Sequence, residues 1–301
     1  MDGLALYFDE RLRRALLALP SDIRERVSEI RLRVCRPVYV TVEGHLHPVM
    51  EPGGTSPLVM GRGELEEVFR RLCDFSLYAH EEEIANGFLT LRGGHRAGLA
   101  GRAVFTNGAV TGLRDLSAIN LRIARQVPGA AEKLLPLFGP APVSLLLAGP
   151  PLSGKTTILR DLLRQLGGGM AWETPGISLI DERGEIAAAK DGIPQADVGE
   201  RCDVLTGYPK AQGIQLALRC MSPGIIACDE IGGGGDVAAI LEGANSGVKF
   251  LASIHAASQE ELERKASFRA LREAGVFDYI AFLGGTGPCR VRQIVKVRDG
   301  P

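Results

Sequence analysis

The chain has 301 residues, enough for two domains, and is 45% hydrophobic, 24% charged and only 5% aromatic, a composition of soluble globular proteins in which aliphatic residues and alanine fill the core. Its formal net charge of −1 excludes a global attraction to nucleic acid or to an anionic membrane, although not a local basic patch. The cysteines Cys35, Cys73, Cys202, Cys220, Cys228 and Cys289 form no C-x-x-C pair, which argues against zinc and thioredoxin-like chemistry and suits a reducing cytoplasm.

The N-terminus, MDGLALYFDERLRR, becomes charged too early for a signal peptide, and the longest apolar runs (VSLLLAG, FDYIAFL) fall far short of the roughly 20 residues of a membrane span. Residues 8–30 read as two short helices broken at Pro20, with Ser21 as N-cap. EIRLRVCRPVYVTVEG, 29–44, alternates like two strands interrupted around Cys35 to Pro37. RGELEEVFRRLCDF, 62–75, carries apolar residues at helical spacing. Residues 87–127 are rich in Gly, Val, Leu and Thr and predict a small sheet with a hairpin at Asn107-Gly108. Residues 1–127 therefore predict an α+β N-terminal domain. The Pro-rich stretch PGAAEKLLPLFGPAP, 128–142, predicts a stiff linker with a short apolar segment docked on one domain. Over 143–301 short apolar strands (143–148, 177–181, 224–228, 249–254) alternate with helical stretches (155–166, 211–220, 235–244, 259–273). That alternation is the mark of an α/β domain with a mostly parallel sheet and crossover helices. CRVRQIVKV, 289–297, is a further strand with DYIAFL as its candidate partner.

Chemistry concentrates in this second half. GPPLSGKT, Gly149 to Thr156, satisfies G-x-x-x-x-G-K-[ST] between an apolar strand and a helix. Such a loop turns its backbone N–H groups around phosphate oxygens, and the helix behind it presents its N-terminus to the same anion. Gly149, Pro150, Pro151, Leu152, Ser153, Gly154, Lys155, Thr156 and Thr157 are the expected nucleotide-binding residues. Lys155 would reach the outer phosphates and Thr156 would ligate Mg²⁺. GIIACDEIG, 224–232, is an apolar strand ending in acids; Asp229 would hold Mg²⁺ through water, and Glu230 would polarise the attacking water or share the metal. SLIDERGEI, 178–186, brings Asp181, Glu182 and Glu185 to the same strand-end edge, so Glu182 competes with Glu230 as the polarising acid. KFLASIHA ends in His255, placed to sense a γ-phosphate. No N-K-x-D guanine reader is present, which favours ATP over GTP.

This set lacks an arginine to neutralise transition-state charge, a role that a neighbouring domain or subunit can fill. Arg92, Arg96, Arg102, Arg122 and Arg125 crowd the preceding small sheet. Arg96 and Arg102, six positions apart on HRAGLAGR, would share one face of a regular strand and are the candidate fingers.

The series GPPLSGKT, IDERGE, DEIG and SIHA resembles the four boxes of the type II and type IV pilus secretion ATPases: Walker A, aspartate box, Walker B and histidine box. SEIRLRVCRPVYVTVEGHLHPV is similar to the first strands of that family's N-terminal domain. A closer resemblance, carried by GHRAGLAGRAV, INLRIARQVPG, DVLTGYPKAQGIQLALRCMSPGIIACDEIGG and IHAAS, is to a sporulation branch of the superfamily. The resemblance implies a RecA-like P-loop ATPase using ATP and Mg²⁺. It further implies a homo-hexamer in the cytoplasm of a mother cell, peripheral at the membrane facing the forespore. There it would serve the membrane proteins of a secretion-like sporulation complex, with no nucleic acid expected. Two departures matter. The secretion ATPases usually have Gly where Asp229 stands, and they follow Glu-Ile with Arg-Asp where this chain has Gly232 to Gly235 before Asp236. The zinc-binding cysteine cluster of that family is missing, so no zinc is expected. The rival readings are a hexameric RecA-like nucleic-acid motor, for which the loop RCDVLTGYPKAQG offers one tyrosine and one lysine, and a non-hydrolysing nucleotide-dependent scaffold.

Overall fold

The computed structural model describes residues 2–139, 141–168, 176–284 and 289–297. Contacts divide the chain into two units, Met1–Arg125 and Gln126–Pro301.

The N-terminal unit contains strands Val27–Arg33 (β1), Arg36–Pro37 (β2), Tyr39–Val42 (β3), His45–Pro48 (β4), Val59–Met60 (β5), Phe88–Thr90 (β6), Arg96–Thr106 (β7) and Ala109–Arg122 (β8). Six of them form an antiparallel sheet in the order β4-β3-β1-β8-β7-β6, while β2 and β5 make a separate short ladder. The period-two pattern sorts side chains by face. Ile30, Leu32, Val40, Leu121, Ile119, Ala97 and Leu89 join Leu12 and Leu16 of helix Glu10–Leu17, and Leu65, Val68 and Leu72 of helix Arg62–Leu72, in one core. Each such Leu or Ile withdrawn from water contributes about 1.5–3 kcal/mol. The alternate positions of the same strands carry Glu29, Arg31, Arg96 and Arg122, with Glu29 opposite Arg122 and Arg122 opposite Arg96.

The hairpin stands where Asn107-Gly108 predicts it. Both residues have positive φ (51° and 81°), the requirement of a type I′ turn. The strand start does not: β1 begins at Val27, two residues before the alternation becomes visible, with a register shift between Val27 and Glu29. Ser21 is the first residue of the four-residue helix Ser21–Arg24 rather than its N-cap; Pro20 takes that place and contributes no side-chain cap bond, its fixed φ of −49° already leading the chain into the helix.

The second unit holds Leu145–Gly149 (β9), Ile177–Asp181 (β10), Cys202–Thr206 (β11), Ile225–Cys228 (β12), Lys249–His255 (β13), Tyr279–Leu283 (β14) and Val291–Lys296 (β15). The sheet order is β11-β10-β12-β13-β9-β14-β15 and every pairing is parallel except β14 with β15; that pair joins DYIAFL to CRVRQIVKV as expected, and runs antiparallel. β9, β10 and β12 are buried at every position, which is why they read as continuous apolar runs. Parallel strands all point one way, so Gly149, Asp181, Cys228 and His255 end along one edge of the sheet. The Pro-rich stretch docks here: Ala131, Leu134 and Phe138 share a core with Leu147, Ile158 and Leu162, and the Ala131 N–H donates to Asp161 Oδ2 at 2.9 Å.

Two features of this unit differ from expectation. The helical stretch 259–273 is two helices, Gln259–Arg264 and Ala266–Glu273, broken at Lys265 (φ −75°, ψ 121°). Arg269 recovers the freed carbonyls of Glu263 and Arg264 at 3.5 and 3.3 Å. β11 lies in a stretch that reads as loop, because this edge strand buries only Leu205.

Candidate functional site

The loop after β9 is shaped by two glycines. A Cβ at Gly149 would stand 2.5 Å from Ser153 Oγ, and Gly154 has φ +91° with Cys289 N and Sγ 2.6 Å from where a Cβ would be. Helix Lys155–Gly167 starts immediately behind. Leu152 is almost fully exposed on the outside of the loop, whereas Ser153 Oγ is buried with no hydrogen-bond partner among the described residues. Thr156 and Thr157 occupy the helix's first turn, and the Cys289 thiol donates to Gly154 O at 3.9 Å.

The Lys155 ammonium is buried and donates to Gly149 O and Pro150 O, both at 2.9 Å. Its third contact is His255 Nδ1 at 3.0 Å. An ammonium only donates, so Nδ1 accepts and the ring proton sits on Nε2. That nitrogen lies 2.6 Å from Glu230 Oε1, and Arg183 donates to Glu230 Oε2 at 3.3 Å. A continuous chain Lys155–His255–Glu230–Arg183 thus runs from the phosphate loop to the end of β12. Burial holds the Lys155 pKa below its ordinary value, and only Glu230 pulls it back up.

The acids divide by what they hold. Asp181, fully buried at the end of β10, accepts the N–H groups of Glu185 (2.9 Å), Ile186 (3.2 Å) and Ala187 (2.8 Å). It pins the following loop and has little left for a ligand. Glu182 is exposed and takes the Lys210 ammonium at 3.2 Å. Asp229, directly after β12 and 4% exposed, has its pKa pushed up to about 6, chiefly by burial, with Asp181, Glu185 and Glu230 adding to the rise and Lys210 opposing it. Glu230 has a left-handed φ of 37°, and its N–H donates to Ser253 Oγ at 2.9 Å. A cavity of about 740 Å³ opens beside Glu230 and His255, bordered by Arg183, the Gly232–Gly234 turn, Val237, Ile254 and Lys265.

Gly149 to Thr157, Glu182, Asp229, Glu230 and His255 therefore stand along one strand-end edge, and hydrogen bonds join Lys155, His255 and Glu230 directly. Arg96 and Arg102 belong to the other unit. The Arg96 guanidinium lies 3.7 Å above the Phe88 ring centroid, while Arg102 is exposed and faces Arg114 across the ladder. Between Ala100 and Arg102 β8 advances four positions while β7 advances two, with Asp115 in a left-handed conformation. Sequence reading missed Lys210, Arg183 and Ser253. Arg183 stood inside a motif already singled out, but nothing local marks Lys210 as inward-facing.

Do these residues fit a nucleotide and its metal? A buried ammonium bonded to carbonyls, an orphaned buried hydroxyl and a helix N-terminus converge on the loop, the donor set that an anion satisfies. The nucleotide fits. Among the described residues no three His, Cys, Asp or Glu side chains are grouped to hold a metal ion by themselves, so Mg²⁺ would need the phosphate oxygens beside a strand-end carboxylate such as Asp229.

Residues 4–300 match the model of the family described as sporulation stage III, protein AA. The chain belongs to the stage III sporulation protein AA family. It is 40% identical over 304 residues to the stage III sporulation protein AA of Bacillus subtilis (strain 168), covering all of this chain and 96% of that protein. The fold is shared more widely. The ATPase DotB of Yersinia pseudotuberculosis superposes with a TM-score of 0.60 at 15% identity, over 92% of this chain and 76% of that one. The pilus retraction motor PilT with bound ADP gives 0.59 at 17% identity, over 87% and 75%. This family member thus has the α/β fold of the secretion and pilus motor ATPases, with an antiparallel N-terminal sheet and a mostly parallel second sheet. No helix among its described residues is long and apolar enough to cross a membrane.

Proposed function

We propose that the protein is a Mg²⁺-dependent ATPase whose hydrolysis drives movement of the N-terminal unit in a ring of identical subunits. The observation that carries this reading is the chain Lys155–His255–Glu230, which links the phosphate loop to the acid beside it. Lys155 exchanges the carbonyls of Gly149 and Pro150 for the outer phosphates, and the loop N–H groups and Ser153 Oγ complete the cradle. Thr156 and the water-holding Asp229 and Glu230 would hold Mg²⁺, which when bound supplies charge neutralisation on the phosphate oxygens. Glu230 orients the attacking water and accepts its proton; His255, donating from Nε2, keeps that carboxylate aimed. Glu182, engaged by Lys210, stands behind Glu230 as the second acid. Arg96 or Arg102, reaching the site from the same or a neighbouring subunit, would act as the finger.

By kinship with the Bacillus subtilis protein, and with motors named for secretion and pilus retraction, we place the hexamer at the mother-cell membrane that faces the forespore. There it energises the membrane proteins of a channel-like sporulation complex. ATP turnover by the purified chain, with mass measured in the presence and absence of ATP, tests both halves. A chain that binds ATP without hydrolysing it is a scaffold, and one that stays a monomer with ATP is no ring motor.

A further inference from the structure

Lys210 is the least expected charge in the molecule. It opens the helix Lys210–Cys220 and is only 5% exposed. A cation is unfavourable at a helix N-terminus, and a buried ammonium is costly unless all its donors are used. Here two donors are hydrogen-bonded and a third acid stands at ion-pair distance, across three segments. Nζ donates to Glu182 Oε2 at 3.2 Å, just past β10, and to the backbone carbonyl of Glu230 at 3.1 Å, just past β12. It lies 3.9 Å from Asp236 Oδ2, whose same oxygen accepts the Gly232 N–H at 2.9 Å.

Resting on the hydrolysis reading above, we infer that Lys210 is a positioning residue that aims Glu230 at the phosphate loop and keeps Glu182 turned away from it. The backbone explains how. Glu230 is held left-handed, a conformation that a non-glycine residue keeps only when its surroundings impose it. Its N–H is taken by Ser253 Oγ, the next N–H, of Ile231, by Ser253 O at 2.8 Å, and its carbonyl by Lys210. With the carbonyl drawn to Lys210, the carboxylate reaches His255. The same ammonium holds Glu182, and its charge balances the carboxylates that crowd Asp229. Local helix preference is violated here, as is usual where a site demands it.

The test is K210M, close in length but without donors or charge. Releasing Glu230 should lower kcat by ~10–100-fold, the cost of a misplaced group, with KM for ATP changed by less than about threefold. E182Q, which removes the charge of one partner while leaving it an acceptor, should cost ~2–5-fold. A fluorescent ATP analogue titrated with Mg²⁺ supplies a readout that a merely structural lysine would not move. Without the ammonium the acids attract the metal more strongly, so the Mg²⁺ concentration for half-maximal binding should fall several-fold. K210Q repeats the test should K210M not fold. A folded variant with kcat within twofold of wild type, or an unmoved Mg²⁺ midpoint, overturns the inference. A wild-type chain that binds Mg-ATP without turnover overturns the hydrolysis reading instead, and the Mg²⁺ midpoint then decides on Lys210 alone.

Discussion

The two sheets carry charge in opposite ways. In the N-terminal sheet the strands alternate in direction, so polar side chains spread over a face. Arg31 and Arg122 share Glu29, at 2.5 and 3.3 Å, and Arg96 lies over Phe88. Those arginines stay partly or largely in water, where such pairs contribute about 0–1 kcal/mol. In the second sheet the strands run parallel, so their ends gather polar side chains on one edge. Lys155, Asp181, Asp229 and Lys210 are there, all buried. A buried charge is tolerated only with its partners in place, so substitutions in the second unit should act on chemistry and, where they strand a buried charge, on stability as well, whereas in the first unit they should act on stability only mildly. An arginine of the first unit that proves essential to turnover would break that contrast.

The largest effect expected is from Lys155→Ala. It removes the one cation in the phosphate loop and the hydrogen bond that fixes the His255 tautomer. ATP turnover should disappear while circular dichroism and melting temperature stay close to wild type, since the ammonium bonds only loop carbonyls and His255. Turnover above a tenth of wild type would sink the assignment of the loop.

Glu230→Gln comes next. The amide keeps the volume and can still contact His255 but cannot accept the proton of water. ATP should bind, hydrolysis should fall by ~10²–10⁴-fold, the usual worth of a general base, and any ATP-dependent oligomer should become long-lived. If this variant turns over normally while Glu182→Gln does not, the polarising acid is the one beyond β10, and the contact from Lys210 must open during turnover.

How much of this could be read from residues alone follows the same division. The phosphate loop was legible because close backbone approach and a helix N-terminus prescribe residue types in order, and β9, β10 and β12 because strands buried on both faces are apolar throughout. Asn107-Gly108 was legible because few pairs accept positive φ twice. β11 was not, since an edge strand that buries Leu205 alone has no periodic signal. Nor was the break at Lys265, where buried Leu262, Phe268 and Leu271 continue an apolar stripe across two helices. Lys210 escaped for a different reason. Its partners, Glu182 and Glu230, come from two other strand ends, and their meeting is a product of sheet order rather than of any local pattern.

The arginine comparison is the direct attempt to break the contrast between the units. Arg102→Ala should cut turnover at least ~10²-fold if it is the finger, an arginine finger being worth ~10³-fold or more, and should leave stability unchanged because the side chain is exposed opposite Arg114. Arg96→Ala removes the contact with Phe88 and should cost stability by about 0.5–1 kcal/mol whether or not it reaches a nucleotide. Mixing either variant with Lys155→Ala should restore some activity if the finger acts between subunits. Normal turnover in both variants moves the role to Arg122 or Arg125.

The smallest effect expected sharpens the contrast from the other side, through a buried group of the N-terminal unit that has no charge to offer. His95 is 8% exposed, and its Nδ1 accepts the Ala124 N–H at 3.0 Å. The ring is therefore neutral with its proton on Nε2, and burial lowers its pKa below the ordinary 6.5. Protonation would place a second donor against the Ala124 N–H as well as a charge in the core. The sign follows from linkage. With the folded pKa below the unfolded one, the unfolded chain takes up the proton first. The stabilisation from keeping His95 neutral is complete above about pH 6.5 and is lost as pH falls through that value toward the folded pKa. Hydrogen-exchange protection at Ala124 and the neighbouring β8 amides should weaken between pH 7.5 and 5.5 in the full chain, while β9 and β12 amides should not follow the same curve. His95→Gln, which keeps an acceptor but cannot charge, should flatten the loss at Ala124. Protection that is constant with pH in the native chain, or an identical loss in the glutamine variant, would show that His95 does not set the acid response of this sheet.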